Sequence, residues 1–209
     1  MDVSSFIDVF RQNILNTSWL EITAVIFGMA SVWFAKKENI LVFPTGIVSV
    51  LIYVYICFYA KLYADMGINF FYFLMSVYGW YNWSRKDLTM KILQITRCRN
   101  SEYLISLAGG VVLFFIFYFV LSEYTDSDVP VLDSLTTAIF IVAMWLMAKK
   151  KIENWTAWIL GNIISIPLYF YKGLVFTSFQ FTVFLILAIL GYIEWNKKLQ
   201  SPIPDNTEK

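Results

Sequence analysis

The chain has 209 residues, 59% of them hydrophobic and 15% charged, with a mean hydropathy of +0.63 and a formal net charge of +1. A soluble domain carries about 25% charged residues, so this composition excludes an ordinary soluble fold and fits helices that each need about 20 mostly apolar residues to cross a bilayer. The chain has no histidine, and Cys57 and Cys98 offer neither a disulfide framework nor metal-ligand spacing, so no metal site and no cofactor is expected.

In chain order, VSSFIDVFRQNIL (3–15) is too short and polar to span and predicts an amphipathic helix on the membrane surface, within an N-terminal segment 1–19 that shows no signal-peptide pattern. Seven candidate spans follow, at 20–35, 40–59, 66–83, 103–122, 132–148, 155–171 and 178–195. The first is the weakest, because its uncharged run covers only 22–35 and Glu21 sits at its edge. A basic loop occupies 84–102, an acidic one 122–133, and residues 197–209 read as a polar tail. With seven spans, 13 Lys and Arg residues fall on the side of the C-terminus and three (Arg11, Lys61 and Lys172) on the side of the N-terminus. Basic loops mark the cytoplasmic face, which places the N-terminus outside and the C-terminus inside.

The two ends of the chain resemble each other. LEITAVIFGMASVWFAKK (20–37) matches LDSLTTAIFIVAMWLMAKK (132–150), pairing Glu21 with Asp133, Trp33 with Trp145 and Lys36–Lys37 with Lys149–Lys150. YGWYNWSRK (78–86) matches LGYIEWNKK (190–198), pairing Gly79 with Gly191 and Trp83 with Trp195, so the separation is 112 or 113 residues. The expected fold is therefore all-α and integral to the membrane, a 3+1+3 arrangement in which a three-helix repeat at 20–83 and another at 132–196 are joined by a linker helix at 103–122. The odd linker makes the repeats parallel, and in such folds the substrate site lies near the midplane between them.

Within the sixth span, Trp158, Asn162, Ser165 and Tyr169 share one helix face. The third span carries Asn69, Phe73, Ser76 and Trp80, the seventh begins a similar stripe with Gln180 and Phe184, and the second bears Thr45 and Ser49. At an offset of 113, Ser49 is the counterpart of Asn162. Pro44 and Pro167 lie in corresponding helices, where a break can free carbonyls or provide a hinge. Polar residues in spans also serve as interhelical glue, yet their recurrence at mid-depth beside aromatics points to a polar cavity. Trp19, Trp33, Trp83, Trp145, Trp155 and Trp195 lie near span ends and are expected as interface anchors. No charged residue sits at the centre of any span, so no proton-coupling group stands out. The expected substrate is a small polar molecule with a ring and no phosphate, and a cationic ring would suit the aromatic lining.

The blocks SWLE (18–21), LYADMGIN (62–69), YGWYNWSR (78–85), LDS (132–134) and ENWTAWILGN (153–162) resemble the PnuC family of bacterial nicotinamide riboside transporters, which are related to the SWEET sugar transporters. The resemblance runs from about residue 19 to residue 196. It implies uptake of the vitamin B3 precursor nicotinamide riboside across the inner membrane by uniport. A cytoplasmic kinase then traps the product for pyridine nucleotide biosynthesis without needing to touch the carrier. It further implies a homo-oligomer, such as a trimer, embedded in the lipid bilayer, with no nucleic-acid partner. Asn162, Trp158, Asn69 and Gln180 carry over by family position as substrate contacts. The alternatives are a thiamine or other B-vitamin carrier of the same fold and, from a different class, a membrane scaffold or sensor subunit. An enzyme is not supported, because no catalytic constellation is present.

Overall fold

A computed structural model describes residues 18–85 and 93–200; the surface helix expected over 3–15, part of the basic loop and the tail beyond residue 200 lie outside the described residues. Seven helices form among the described residues: α1 (Trp19–Lys36), α2 (Val42–Tyr59), α3 (Tyr63–Ser84), α4 (Asn100–Tyr124), α5 (Pro130–Ala148), α6 (Glu153–Tyr171) and α7 (Val175–Gln200). Among the described residues there is no strand, only an isolated bridge between Thr96 and Lys151. Helix α7 continues to Gln200, so the first residues assigned to the tail are helical.

The starts of these helices follow from local chemistry. Ser18 is extended and its hydroxyl accepts a hydrogen bond from the Glu21 amide at 3.2 Å, satisfying one of the unpaired donors of the first turn. Pro130 opens α5, where its fixed φ suits the first helical position. Pro44 lies in the first turn of α2, where a missing N–H is no loss, so it breaks nothing. Pro167 does lie inside α6. One residue before it, the Ile166 carbonyl accepts a hydrogen bond from Ser178 of α7 at 2.8 Å.

By length and composition, α1, α2, α4, α5 and α7 are apolar enough to cross a membrane. Helices α3 and α6 fall short of that apolarity, and they are the two that carry Asn69, Ser76, Asn162 and Ser165. Helix α1 packs on α2 and α2 on α3; α5 packs on α6 and α6 on α7. The two triplets meet where α1 touches α7 and α3 touches α5, while α4 packs along α5 and reaches α6 through the Tyr103 hydroxyl, which donates to Glu153 at 2.9 Å. No residue of α4 is buried, whereas α5 has more buried residues than any other helix.

Turns at equivalent places share one backbone form. Glu38 (φ 61°) and Lys150 (φ 52°) end α1 and α5 in the left-handed region, and Lys61 (φ 60°) and Gly173 (φ 74°) do the same after α2 and α6. Their hydrogen bonds match as well. Asn39 donates to the Phe34 carbonyl at 2.9 Å and Lys151 to the Leu146 carbonyl at 3.0 Å, while Leu62 and Leu174 donate to Cys57 and Tyr169, each at 2.9 Å. Every one of these pairs is 112 residues apart. The register is therefore 112 throughout, which corrects two sequence pairings: Lys37, not Lys36, matches Lys149, and Val50, not Ser49, matches Asn162.

Three tryptophans expected at the membrane interface are instead buried between the triplets. The Trp83 indole donates to the Met147 carbonyl at 3.2 Å, and the Trp195 indole donates to the Ala35 carbonyl at 3.0 Å. Each bond is the image of the other, since both donor and acceptor shift by 112. Trp155 meets Trp195 edge-on at 5.5 Å, and Phe43, at the matching position, meets Trp83 edge-on at 5.0 Å. Gly79 and Gly191 make room for these rings: a Cβ would stand 2.3 Å from Phe43 at the first and 2.6 Å from Trp155 at the second. Trp19 remains exposed at 84% and Trp33 at 43%.

Beside the indoles, the Glu38 carboxylate takes Lys150 at 2.7 Å and Lys198 at 2.8 Å, and Lys150 also donates to the Leu93 carbonyl at 2.8 Å. Burial pushes the Glu38 carboxyl up, but the hydrogen bonds from Lys150 and Lys198 outweigh burial and hold it below the usual carboxylate range. A carboxyl lowered by folding contributes stability that is complete above its unfolded pKa and is lost as pH falls through the folded one. Glu38→Gln should therefore lower stability at neutral pH by about 2 kcal/mol, with the gap to the unaltered protein closing in acid. Thermal unfolding in detergent across that pH range reads this directly.

Candidate functional site

Between the triplets lies a cavity of about 470 Å³, walled by α1, α2 and α3 on one side and α5, α6 and α7 on the other. Ligand pockets commonly hold about 300–1,000 Å³. One end of the wall is formed by Ala35, Phe43, Met147 and Trp155, next to the paired indoles. Towards the other end stand Glu21 and Asp65, in the first turns of α1 and α3.

The wall repeats at the same 112-residue spacing but not with the same chemistry. Gly28, Gly46 and Asn69 face the cavity from the first triplet, and the matching positions in the second are Phe140, Trp158 and Phe181. In the first triplet the small residues let α1 and α2 close on each other: a Cβ at Gly28 would lie 3.2 Å from the Ser49 hydroxyl, and one at Gly46 3.0 Å from that of Ser31. Ser49 and Ser31 then donate across the same contact to the carbonyls of Ala24 and Val42, at 2.8 Å and 2.7 Å. In the second triplet the space is filled by rings in a row. Trp158 stacks on Phe140 at 5.2 Å, Phe140 on Phe181 at 5.9 Å, and Phe181 on Tyr169 at 4.9 Å, with planes within 28° of parallel. One wall is thus small and polar and the other is aromatic.

Of the residues singled out from sequence, Asn162, Trp158, Tyr169, Asn69, Ser76, Gln180, Phe184 and Ser49 line this cavity. Ser165, Phe73 and Trp80 do not. Ser165 is buried with its hydroxyl unpartnered among the described residues, Phe73 meets Phe70 at a tilt with centroids 6.0 Å apart, and Trp80 is exposed. The cause on α3 is phase: the lining face runs through Asp65, Ile68, Asn69, Tyr72 and Ser76, centred one residue before the stripe read from sequence. Tyr72 and Tyr53 were missed although each lies one helical turn from a polar residue that was noted, and Phe181 was missed although it follows Gln180. Phe140 had no polar neighbour to mark it.

The polar groups on the wall differ in what they already hold. Asn69 donates to the Asp65 carbonyl at 2.9 Å. The Tyr53 hydroxyl and Gln180 face each other. Asn162 is 2% exposed, and neither its amide nor the buried Ser76 hydroxyl has a hydrogen-bond partner among the described residues. Neither is among the side-chain atoms wholly shut away without a partner, which are Asn154 Oδ1, Trp155 Nε1 and Ser165 Oγ, so an amide at the cavity wall stays open to donate to and accept from a ligand. The wall carries Glu21 and Asp65 but no Lys or Arg. Lys172, in the turn between α6 and α7, is held by both oxygens of Asp133, at 2.6 Å and 2.7 Å. No group of His, Cys, Asp and Glu that could hold a metal ion occurs among the described residues.

Comparison with known proteins gives a consistent set of likenesses. Residues 18–197 match the family described as Nicotinamide mononucleotide transporter. The nicotinamide riboside transporter PnuC of Escherichia coli is 27% identical over 203 residues, covering 85% of each chain. The riboflavin/roseoflavin transporter RibM of Streptomyces davaonensis is 23% identical over 192 residues, covering 90% of this chain and 87% of RibM. A crystal structure of the vitamin B3 transporter PnuC superposes with a TM-score of 0.69 at 26% identity, over 94% of this chain and 91% of that one.

Because Asn162 bonds to nothing within the described protein, Asn162→Ala should leave the thermal midpoint unchanged or slightly raised. Ser49→Ala, which removes the hydroxyl's bond to the Ala24 carbonyl between α2 and α1, should lower stability by about 1 kcal/mol. Thermal unfolding of the two purified variants separates a residue kept for a ligand from one kept for the fold.

Proposed function

We propose that this chain, which belongs to the nicotinamide mononucleotide transporter family, brings nicotinamide riboside into the cell by facilitated diffusion. The family is one of transporters, not enzymes. The observation that carries the reading is Asn162, an unpartnered buried amide on a wall of stacked rings that has acids but no basic residue. An amide can both donate to and accept from the carboxamide of nicotinamide. A pyridinium cation is attracted to the face of Trp158 and is favoured by Glu21 and Asp65 at one end. Ser76, Asn69 and Gln180 supply groups for ribose hydroxyls. A phosphate would find no free cation on the wall, since Lys172, over the Tyr169 ring, is held by both oxygens of Asp133, so the riboside suits the cavity better than the mononucleotide of the family's description.

Seven crossings arranged as 3+1+3 fit the shared turn geometry and the mirrored helix contacts, with the N-terminus outside and the C-terminus in the cytoplasm of a bacterial inner membrane. The paired indoles and the Glu38–Lys150 bridge then close the cytoplasmic end, and transport is a rocking of the two triplets that opens this end while closing the other. The carrier is a homo-oligomer, such as a trimer, and a cytoplasmic kinase phosphorylates the product without needing to touch it.

Uptake of labelled nicotinamide riboside into proteoliposomes without an ion gradient tests the reading. Uptake should stop at equilibrium, survive an excess of nicotinamide mononucleotide, and fall by about tenfold or more in Asn162→Ala. Competition by the mononucleotide as strong as by the riboside would show the charge argument to be wrong.

A further inference from the structure

We propose that Gly161 and Phe140 set the width of the slot that receives the ligand's ring, and so decide how large an aromatic ring the carrier accepts. This rests on the vitamin-carrier reading above. Phe140 is an inner ring of the row, stacked between Trp158 and Phe181, so neighbours fix it in two directions. Behind it stands Gly161 on α6, buried and one residue before Asn162. A Cβ at Gly161 would lie 2.2 Å from Cε1 of Phe140 and under 3 Å from two more atoms of the same ring. No such contact is tolerated. Phe140 is held between two rings and backed by α6, so the added methyl would drive it towards the cavity.

The matching contact in the first triplet shows the opposite choice. There the positions of Phe140 and Gly161 are taken by Gly28 and Ser49, both small. The chain thus tolerates a small pair at this helix contact, and only the second triplet spends the volume on a ring that narrows the cavity. Stacked between two rings, Phe140 bounds the slot with its edge, and Gly161 is a positioning residue that acts through it. Removing the Phe140 ring should widen the slot enough for a polycyclic ring, and displacing the ring inward should narrow it for a single one.

The test is uptake kinetics in proteoliposomes for the unaltered protein, Gly161→Ala, Phe140→Ala and the double variant Gly161→Ala with Phe140→Leu, using labelled nicotinamide riboside with riboflavin as competitor. Gly161→Ala should raise KM about tenfold with little change in kcat, and the double variant should regain most of that loss, because a shorter, flexible side chain can yield to the new methyl. Phe140→Ala should make riboflavin an effective competitor. An unchanged KM in a folded Gly161→Ala protein, or no recovery in the double variant, would overturn the inference. Should Gly161→Ala fail to fold, continued indifference of Phe140→Ala to riboflavin would overturn it alone. An unaltered protein that carries no nicotinamide riboside defeats the underlying reading and this inference with it.

Discussion

Two indole N–H groups hold the triplets in register. A tryptophan near the end of a membrane helix normally has water or lipid headgroups to bond, but Trp83 and Trp195 instead reach across to the last turns of α5 and α1, where helix carbonyls have no partner within the helix. Each bond satisfies a buried indole donor, and the accepting carbonyls of Ala35 and Met147 also take the Glu38 and Lys150 amides, each at 2.9 Å. The packing nearby depends on that choice. Gly79 and Gly191 lie where Phe43 and Trp155 must fit, and the left-handed turns at Glu38 and Lys150 direct the chain away immediately after the accepting carbonyls. With this end joined through mirrored contacts, the rest of the space between the triplets is free to differ between its two walls.

That difference is where function enters. A pair of identical three-helix units would make a symmetric hollow, with either rings on both sides and no room, or small residues on both sides and nothing to grip a flat molecule. This chain keeps the backbone match and divides the chemistry: Gly28 and Gly46 in one triplet, Phe140 and Trp158 in the other. Asn162 belongs to the same division, because its match is Val50, so the amide is present once. An amide present on one side only at this position, facing one ring wall, makes the two sides of the cavity unlike, which a symmetric site could not do.

Much of this was legible in the sequence. Helix positions followed from charge-free runs, because lipid tolerates little else. The repeat showed through Gly79 and Gly191 and through Trp83 and Trp195, residues that the reciprocal contact requires. What misled was also physical. Adjacent lysines at 36–37 and 149–150 align best one residue out of register, because the turn geometry that fixes the true register is carried by Glu38 and Lys150, which share a left-handed backbone but have opposite side-chain charges. Trp155 looked like an interface anchor because sequence position near a span end cannot distinguish a ring that faces headgroups from one that faces another helix. Phe140 was silent for a plainer reason: on an apolar helix, a phenylalanine that lines a cavity and one that touches lipid look the same.

The bridge between Glu38 and Lys150 joins two residues at matching positions, so it lies on the axis that relates the triplets. Any residue on such an axis meets its own image. In an assembly of two first triplets, Glu38 would meet a second Glu38; in one of two second triplets, Lys150 would meet a second Lys150. Either pairing sets like charges together in a half-buried place, where repulsion is strong. Opposite charges there mean that each half recognises the other and rejects a copy of itself. If this architecture descends from a self-pairing three-helix ancestor, the charge at this one position marks the step after which the halves could no longer be separated and reused.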